Sequence, residues 1–166
     1  MHKEDKELCE LVKGVAACLS REEMDLATAE SCTGGWVAKV LTDVPGSSIY
    51  FDRGFVTYSN KSKHDMLGVS EETLLLHGAV SEAIVKEMVE GALQNSDASM
   101  ALAVSGIAGP TGGSEDKPIG TVCFAWMIRG DVAVGETVHY DGDRDSIRRQ
   151  AVIHALEGVV KQLTRE

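Results

Sequence analysis

The order in which strand and helix patterns follow one another constrains this chain more than any single motif. Leu8, Leu11, Val12, Val15 and Leu19 share one face of a helix expected over Asp5 to Leu19. A short strand from Asp25 to Ala29 is followed by a helix from Gly34 to about Thr42. Past the turn at Pro45-Gly46-Ser47-Ser48, Ile49 to Thr57 reads as a strand interrupted at Asp52-Arg53-Gly54, the mark of a bulge. Ser59 to Met66 is a short helix and Ser70 opens another. Ser81 caps the clearest helix, with Ile84, Val85, Met88 and Val89 on its stripe. The buried strand Ser99 to Val104 leads into a glycine-rich loop, Gly106 to Lys117. Only then do two strand patterns adjoin, Ile119 to Ile128 and Asp131 to His139, with a tight turn at Arg129-Gly130 between them. A long helix from Asp143 to Leu163 ends the series. Alternation first and a strand pair late predict an α/β fold, a three-layer α/β/α sandwich on a mixed, mostly parallel sheet. The 166 residues fit one domain spanning 1–166.

Composition narrows the partners. Hydrophobic residues make up 43% and charged residues 25%, the balance of a globular chain, and no apolar run reaches membrane-spanning length. Charged residues crowd the first turn of the chain, unlike a signal peptide, so a cytoplasmic location is expected. A formal net charge of −10 argues against nucleic acid as partner, although local arginines can still hold a small anion. Cys9, Cys18, Cys32 and Cys123 lack C-x-x-C spacing and a histidine cluster, so neither a metal nor a disulfide framework is expected. Cys32 stands apart, because a thiol at a helix N-terminus has a lowered pKa.

Four clusters carry candidate chemistry. Ala29-Glu30-Ser31-Cys32-Thr33-Gly34-Gly35 joins a strand to a helix, which sets a serine hydroxyl beside unpaired N–H groups suited to an oxyanion. On spacing alone the same run is an ordinary helix start with Thr33 as N-cap. Tyr58-Ser59-Asn60-Lys61-Ser62-Lys63 supplies two lysines, either of which activates a serine if its charge is suppressed; on a short surface helix both are simply solvated. Ser105-Gly106-Ile107-Ala108-Gly109-Pro110-Thr111-Gly112-Gly113-Ser114 is a glycine loop at a strand's C-terminal end, where backbone either approaches a ligand or simply connects two strands; it lacks the lysine of a P-loop. Asp141-Gly142-Asp143-Arg144-Asp145 lacks the late glutamate of a calcium loop. There Asp143 caps the last helix, and Arg144 pairs with an acid or holds a phosphate. None of the five histidines falls in a triad pattern.

Taken in register, Ala-Glu-Ser-Cys-Thr-Gly-Gly at 29–35, Gly-Phe-Val-Thr-Tyr-Ser-Asn at 54–60, His-Gly-Ala-Val-Ser-Glu at 77–82 and Ser-Gly-Ile-Ala-Gly-Pro at 105–110 resemble the CinA C-terminal domain family in its stand-alone form. The resemblance runs from about Leu26 to Leu163. It implies deamidation of nicotinamide mononucleotide to nicotinate mononucleotide and ammonia, in pyridine-nucleotide recycling and without a cofactor. It implies Ser31 as nucleophile, assisted by Tyr58 and Lys63; Lys63 is selected over Lys61 because the family's lysine lies five positions after the tyrosine. Thr33, Gly34, Ser105, Gly106 and Arg144 are the expected substrate contacts, with the oxyanion held by N–H groups near Thr33 and Gly34 or in the Gly106 loop. A homodimer is the default assembly. The rivals are another nucleotide-like amide substrate, Cys32 as nucleophile, and a non-catalytic binding module.

Overall fold

The computed structural model describes residues 2–165; Met1 and Glu166, the limits of the expected domain, lie outside the described residues. Its elements run α1 (Lys3–Arg21), β1 (Leu26–Glu30), α2 (Trp36–Thr42), β2 (Phe51–Val56), α3 (Asn60–Leu67), α4 (Glu71–His77), α5 (Glu82–Gln94), β3 (Met100–Gly106), β4 (Thr121–Ile128), β5 (Val134–His139) and α6 (Arg144–Thr164). The sheet order is β2-β1-β3-β4-β5. β1 pairs in parallel with both β2 and β3, whereas β4 is antiparallel to β3 and to β5. Only β4 therefore opposes the other four strands, which is the mixed, mostly parallel sheet expected.

Alternation along the strands builds two unequal faces. Leu26, Met100, Leu102, Val104, Val122, Phe124 and Trp126 face the layer of α1, α2 and α6. Ala27, Ala29, Ala101, Ala103, Cys123 and Ala125 face the other layer, where α5 supplies most of the apolar side chains. Large residues on one face and alanines on the other let α5 lie close to the sheet, and burial of both faces explains why β3 and β4 are almost wholly apolar. Close approach recurs at the glycines inside helices. A Cβ on Gly91 of α5 would stand 1.9 Å from the Leu67 carbonyl oxygen, and one on Gly158 of α6 would stand 2.1 Å from the Trp126 ring.

The ends of elements follow side-chain chemistry. Asp143, Ser70 and Ser81 cap α6, α4 and α5 through their side chains, and α3 opens with a reciprocal cap between Ser59 and Ser62. The expected bulge falls at Asp52: Leu26 pairs with Phe51 and the next pair is Ala27 with Arg53. β5 begins at Val134, three residues later than its pattern suggested, because Asp131 N–H closes a turn on the Ile128 carbonyl. No helix among the described residues is long and apolar enough to cross a membrane.

β1 connects to β2 through α2 on one face, and β2 connects to β3 through α3–α5 on the other. The chain thus reverses its winding between β1 and β3. In open α/β sheets the crevice beyond the carboxyl ends of two such strands is where ligands sit. Here those ends carry Ser31 and Ser105-Gly106.

Candidate active site

Ser31 follows the last residue of β1, and its N–H still donates to the Val104 carbonyl at 2.9 Å, so the serine is tied to the sheet. Lys63 projects from α3 and is only 1% exposed. Its Nζ donates to Ser31 Oγ at 3.0 Å and to the Thr57 carbonyl at 2.8 Å. Burial pushes its pKa down to about 8. Lys61, two residues earlier, points outward and pairs with Asp65. The two lysines therefore do not tune one another; loss of hydration does the work at Lys63.

The cleft around this pair has a volume of about 300 Å³ and is walled by Tyr58, Asn60, Ala79, Val80, Arg144 and residues of the loop that begins at Gly106. That is at the small end of small-molecule sites. Tyr58 reaches the cleft but is 62% exposed, and its hydroxyl accepts from Arg144 Nη2 at 3.1 Å rather than touching Ser31 or Lys63. Arg144 Nη1 donates to the Gly109 carbonyl at 2.7 Å, so this arginine bridges two walls of the opening. Ser105 is buried on the cleft floor and donates to the Ala79 carbonyl at 2.8 Å, tying the loop after α4 to the end of β3. Gly106 lets three segments meet: a Cβ there would lie 2.8 Å from Val122, 3.0 Å from the Thr121 carbonyl oxygen and 3.1 Å from Cys32 Sγ.

Thr33 and Gly34 are the site residues that the fold assigns differently. Neither lines the cleft. The Gly34 N–H donates to the Ser31 carbonyl at 3.0 Å, and the Thr33 hydroxyl donates to the Glu30 carboxylate at 2.7 Å. Thr33 is not the cap of α2 either. Gly34 and Gly35 sit at φ 60° and 96°, outside helical geometry, so α2 starts only at Trp36. Glu30 fills the capping role from the strand: its carboxylate accepts the N–H groups of Val37 at 2.9 Å and Ala38 at 3.0 Å.

The thiol of Cys32 also departs from expectation. It lines the cleft but is buried, and burial pushes its pKa up to about 12 instead of lowering it. A thiol that resists ionisation is a poor nucleophile. The backbone N–H of Cys32, in contrast, donates to no backbone carbonyl among the described residues. Sequence reasoning passed over Glu30, Arg148 and Asn60. Glu30 carried one usable signal, a carboxylate at the end of an otherwise small and apolar strand.

Together these features define an α/β/α domain with a serine–lysine pair at the switch point of its sheet. The model of the CinA C-terminal domain matches residues 9–163, and the chain belongs to that family. It is 52% identical over 158 residues to the nicotinamide-nucleotide amidohydrolase PncC of Escherichia coli (strain K12), a match covering 95% of this chain and 96% of that protein. A CinA-like protein of Akkermansia muciniphila is 49% identical over 156 residues, 94% of this chain but 38% of that longer protein. The crystal structure of the competence/damage inducible protein CihA from Agrobacterium tumefaciens superposes with a TM-score of 0.91 at 44% identity, covering 95% of each chain.

Proposed function

We infer that this chain is a nicotinamide-nucleotide amidohydrolase, converting nicotinamide mononucleotide and water to nicotinate mononucleotide and ammonia. The observation that carries the chemistry is the buried Lys63 Nζ 3.0 Å from Ser31 Oγ. The substrate rests on the full-length likeness to PncC. With Lys63 neutral, the same contact reverses and the Ser31 hydroxyl donates to Nζ.

Ser31 Oγ attacks the carboxamide carbon while its proton passes to Lys63. The oxyanion is held by the Cys32 N–H, which is bound to no backbone carbonyl among the described residues and follows the nucleophile directly. The C–N bond then breaks and Lys63 returns the proton to the departing amine, which leaves as ammonia. Water, deprotonated by Lys63, hydrolyses the resulting ester and frees nicotinate mononucleotide. Arg144 spends one N–H on Gly109 and one on Tyr58, which leaves three of its five donors for the substrate phosphate. Tyr58 acts beside it at the rim, and Ser105 holds the floor. The product suits pyridine-nucleotide recycling.

The test is ammonia release and nicotinate mononucleotide formation by wild type and by Ser31→Ala. A fall of at least ~10³-fold in the mutant is expected for loss of the nucleophile. Equal turnover in both would reduce Ser31 to a structural residue. A folded wild type without turnover would point to another amide or to a binding module.

A further inference from the structure

The turn carrying Ser31 is gripped on two sides by groups that never reach the cleft. Glu30, immediately before the nucleophile, is 0% exposed, and its two carboxylate oxygens accept three donors: the Thr33 hydroxyl at 2.7 Å, Val37 N–H at 2.9 Å and Ala38 N–H at 3.0 Å. One end of this grip is on the turn and the other on the first turn of α2. From α6, Arg148 Nε donates to the Cys32 carbonyl at 2.9 Å and its Nη2 to the Thr33 carbonyl at 3.1 Å. The Arg148 guanidinium also lies over the Trp36 ring, 5.4 Å from its centroid. The base is held within the same frame. The Glu30 carbonyl accepts Thr57 N–H at 2.8 Å, and the Thr57 carbonyl accepts Lys63 Nζ at 2.8 Å.

Peptide planarity turns these contacts into orientation. The Ser31 carbonyl is fixed by Gly34 N–H, so the N–H on the opposite side of that plane, Cys32 N–H, is fixed with it. The next two planes are fixed by Arg148. We propose that Glu30 and Arg148 are positioning residues that lock the peptide planes of the Ser31 turn, presetting Oγ against Lys63 and the Cys32 N–H toward the oxyanion. The proposal rests on the serine–lysine reading above. Two glycines in this turn leave its backbone soft, so side chains must supply the rigidity that a nucleophile requires. A shift of about 1 Å at a reacting atom is enough to cost on the order of 10²-fold in rate.

Four variants test it: Glu30→Gln, Arg148→Lys, Thr33→Val and Thr33→Ser. The glutamine turns one acceptor into a donor facing helix N–H groups, and a lysine cannot fork across two carbonyls. Thr33→Val deletes a single donor at constant shape and leaves the helix caps intact, which covers the case in which Glu30→Gln fails to fold. The expected result is a kcat lowered about tenfold or more in the first three with KM nearly unchanged, and recovery in Thr33→Ser. Labelling of Ser31 by a fluorophosphonate, followed by intact mass, should slow in parallel; in that reaction the Oγ–P bond forms, fluoride leaves and Lys63 takes the proton. The labelling arm needs no nucleotide. Wild-type labelling without deamidation would sink the proposed substrate while leaving the clamp standing. Folded Glu30→Gln and Thr33→Val that label and turn over at the wild-type rate would overturn it, as would a loss confined to KM.

Discussion

Lys63 is the residue on which the chemistry and its cost converge. Its side chain is buried with a hydroxyl and a carbonyl as partners, and burial holds its pKa near 8 instead of the ordinary 10.5. That difference corresponds to about 3 kcal/mol against the charged form. A general base acts when unprotonated, so kcat/KM should rise with pH and level off above an apparent pKa near 8. A profile flat from pH 6 to pH 9 (about three decades of proton activity) would remove Lys63 as the base. The stability consequence has a definite sign. Between about 8 and 10.5 the unfolded chain keeps a proton that the folded chain has released, so wild-type stability rises with pH across that window. Below it the penalty is fully present. Lys63→Met should therefore lower activity by about 10²–10⁴-fold yet unfold at a higher temperature than wild type at pH 7, with the gap closing as pH climbs toward 10.5. Matched thermal scans at pH 7 and at pH 10 measure it.

At the scale of elements, packing depends on how nearly two backbones approach. α5 crosses the end of α3 so tightly that a methyl group on Gly91 would collide with backbone at Leu67, which cannot swing aside. Gly91→Ala should destabilise by roughly 1–3 kcal/mol or more. Gly14 on the exposed face of α1 has nothing within 4 Å of a built Cβ, so Gly14→Ala should stabilise by about 1 kcal/mol through helix propensity. Urea midpoints of the two variants should thus move in opposite directions. The contrast also explains what could be read in advance. The alternation of apolar patterns is a local property, and it sufficed for the element order and for the layers, because each buried stripe needs a facing layer. Ser31, Lys63 and the glycine loop were legible as motifs. The helix start at Trp36, in contrast, is decided by Glu30 reaching across seven residues, and the hold of Arg148 spans 116 residues. No spacing rule reports such contacts. Burial of Lys63 was equally hidden, since its neighbour Lys61 on the same helix is exposed and the two read alike. Burial likewise reversed the sign expected at Cys32.

For the whole molecule, binding and unfolding are linked. A ligand that binds only the folded chain stabilises it by RT ln(1 + [L]/Kd), about 2.7 kcal/mol at a hundredfold excess over Kd. For a chain of this size each kcal/mol moves Tm by about 2–4 °C. Ser31→Ala saturated with nicotinamide mononucleotide should therefore melt about 5–10 °C higher than when free. The net charge of −10 opposes an anionic ligand at long range, so the attraction must come from the cleft itself. Arg144 is the cation that lines it near the opening, bridged between Tyr58 and Gly109 with donors to spare. If those donors take the phosphate, the mononucleotide should raise Tm well above the value reached with the same concentration of the phosphate-free riboside. In the Ser31→Ala, Arg144→Ala double variant that advantage should disappear. An advantage that survives the loss of Arg144 would move the phosphate to another part of the cleft, with the loop amides of Ala108, Gly109, Thr111 and Gly112 as candidate donors. The same scans separate binding from chemistry, because the serine is already absent.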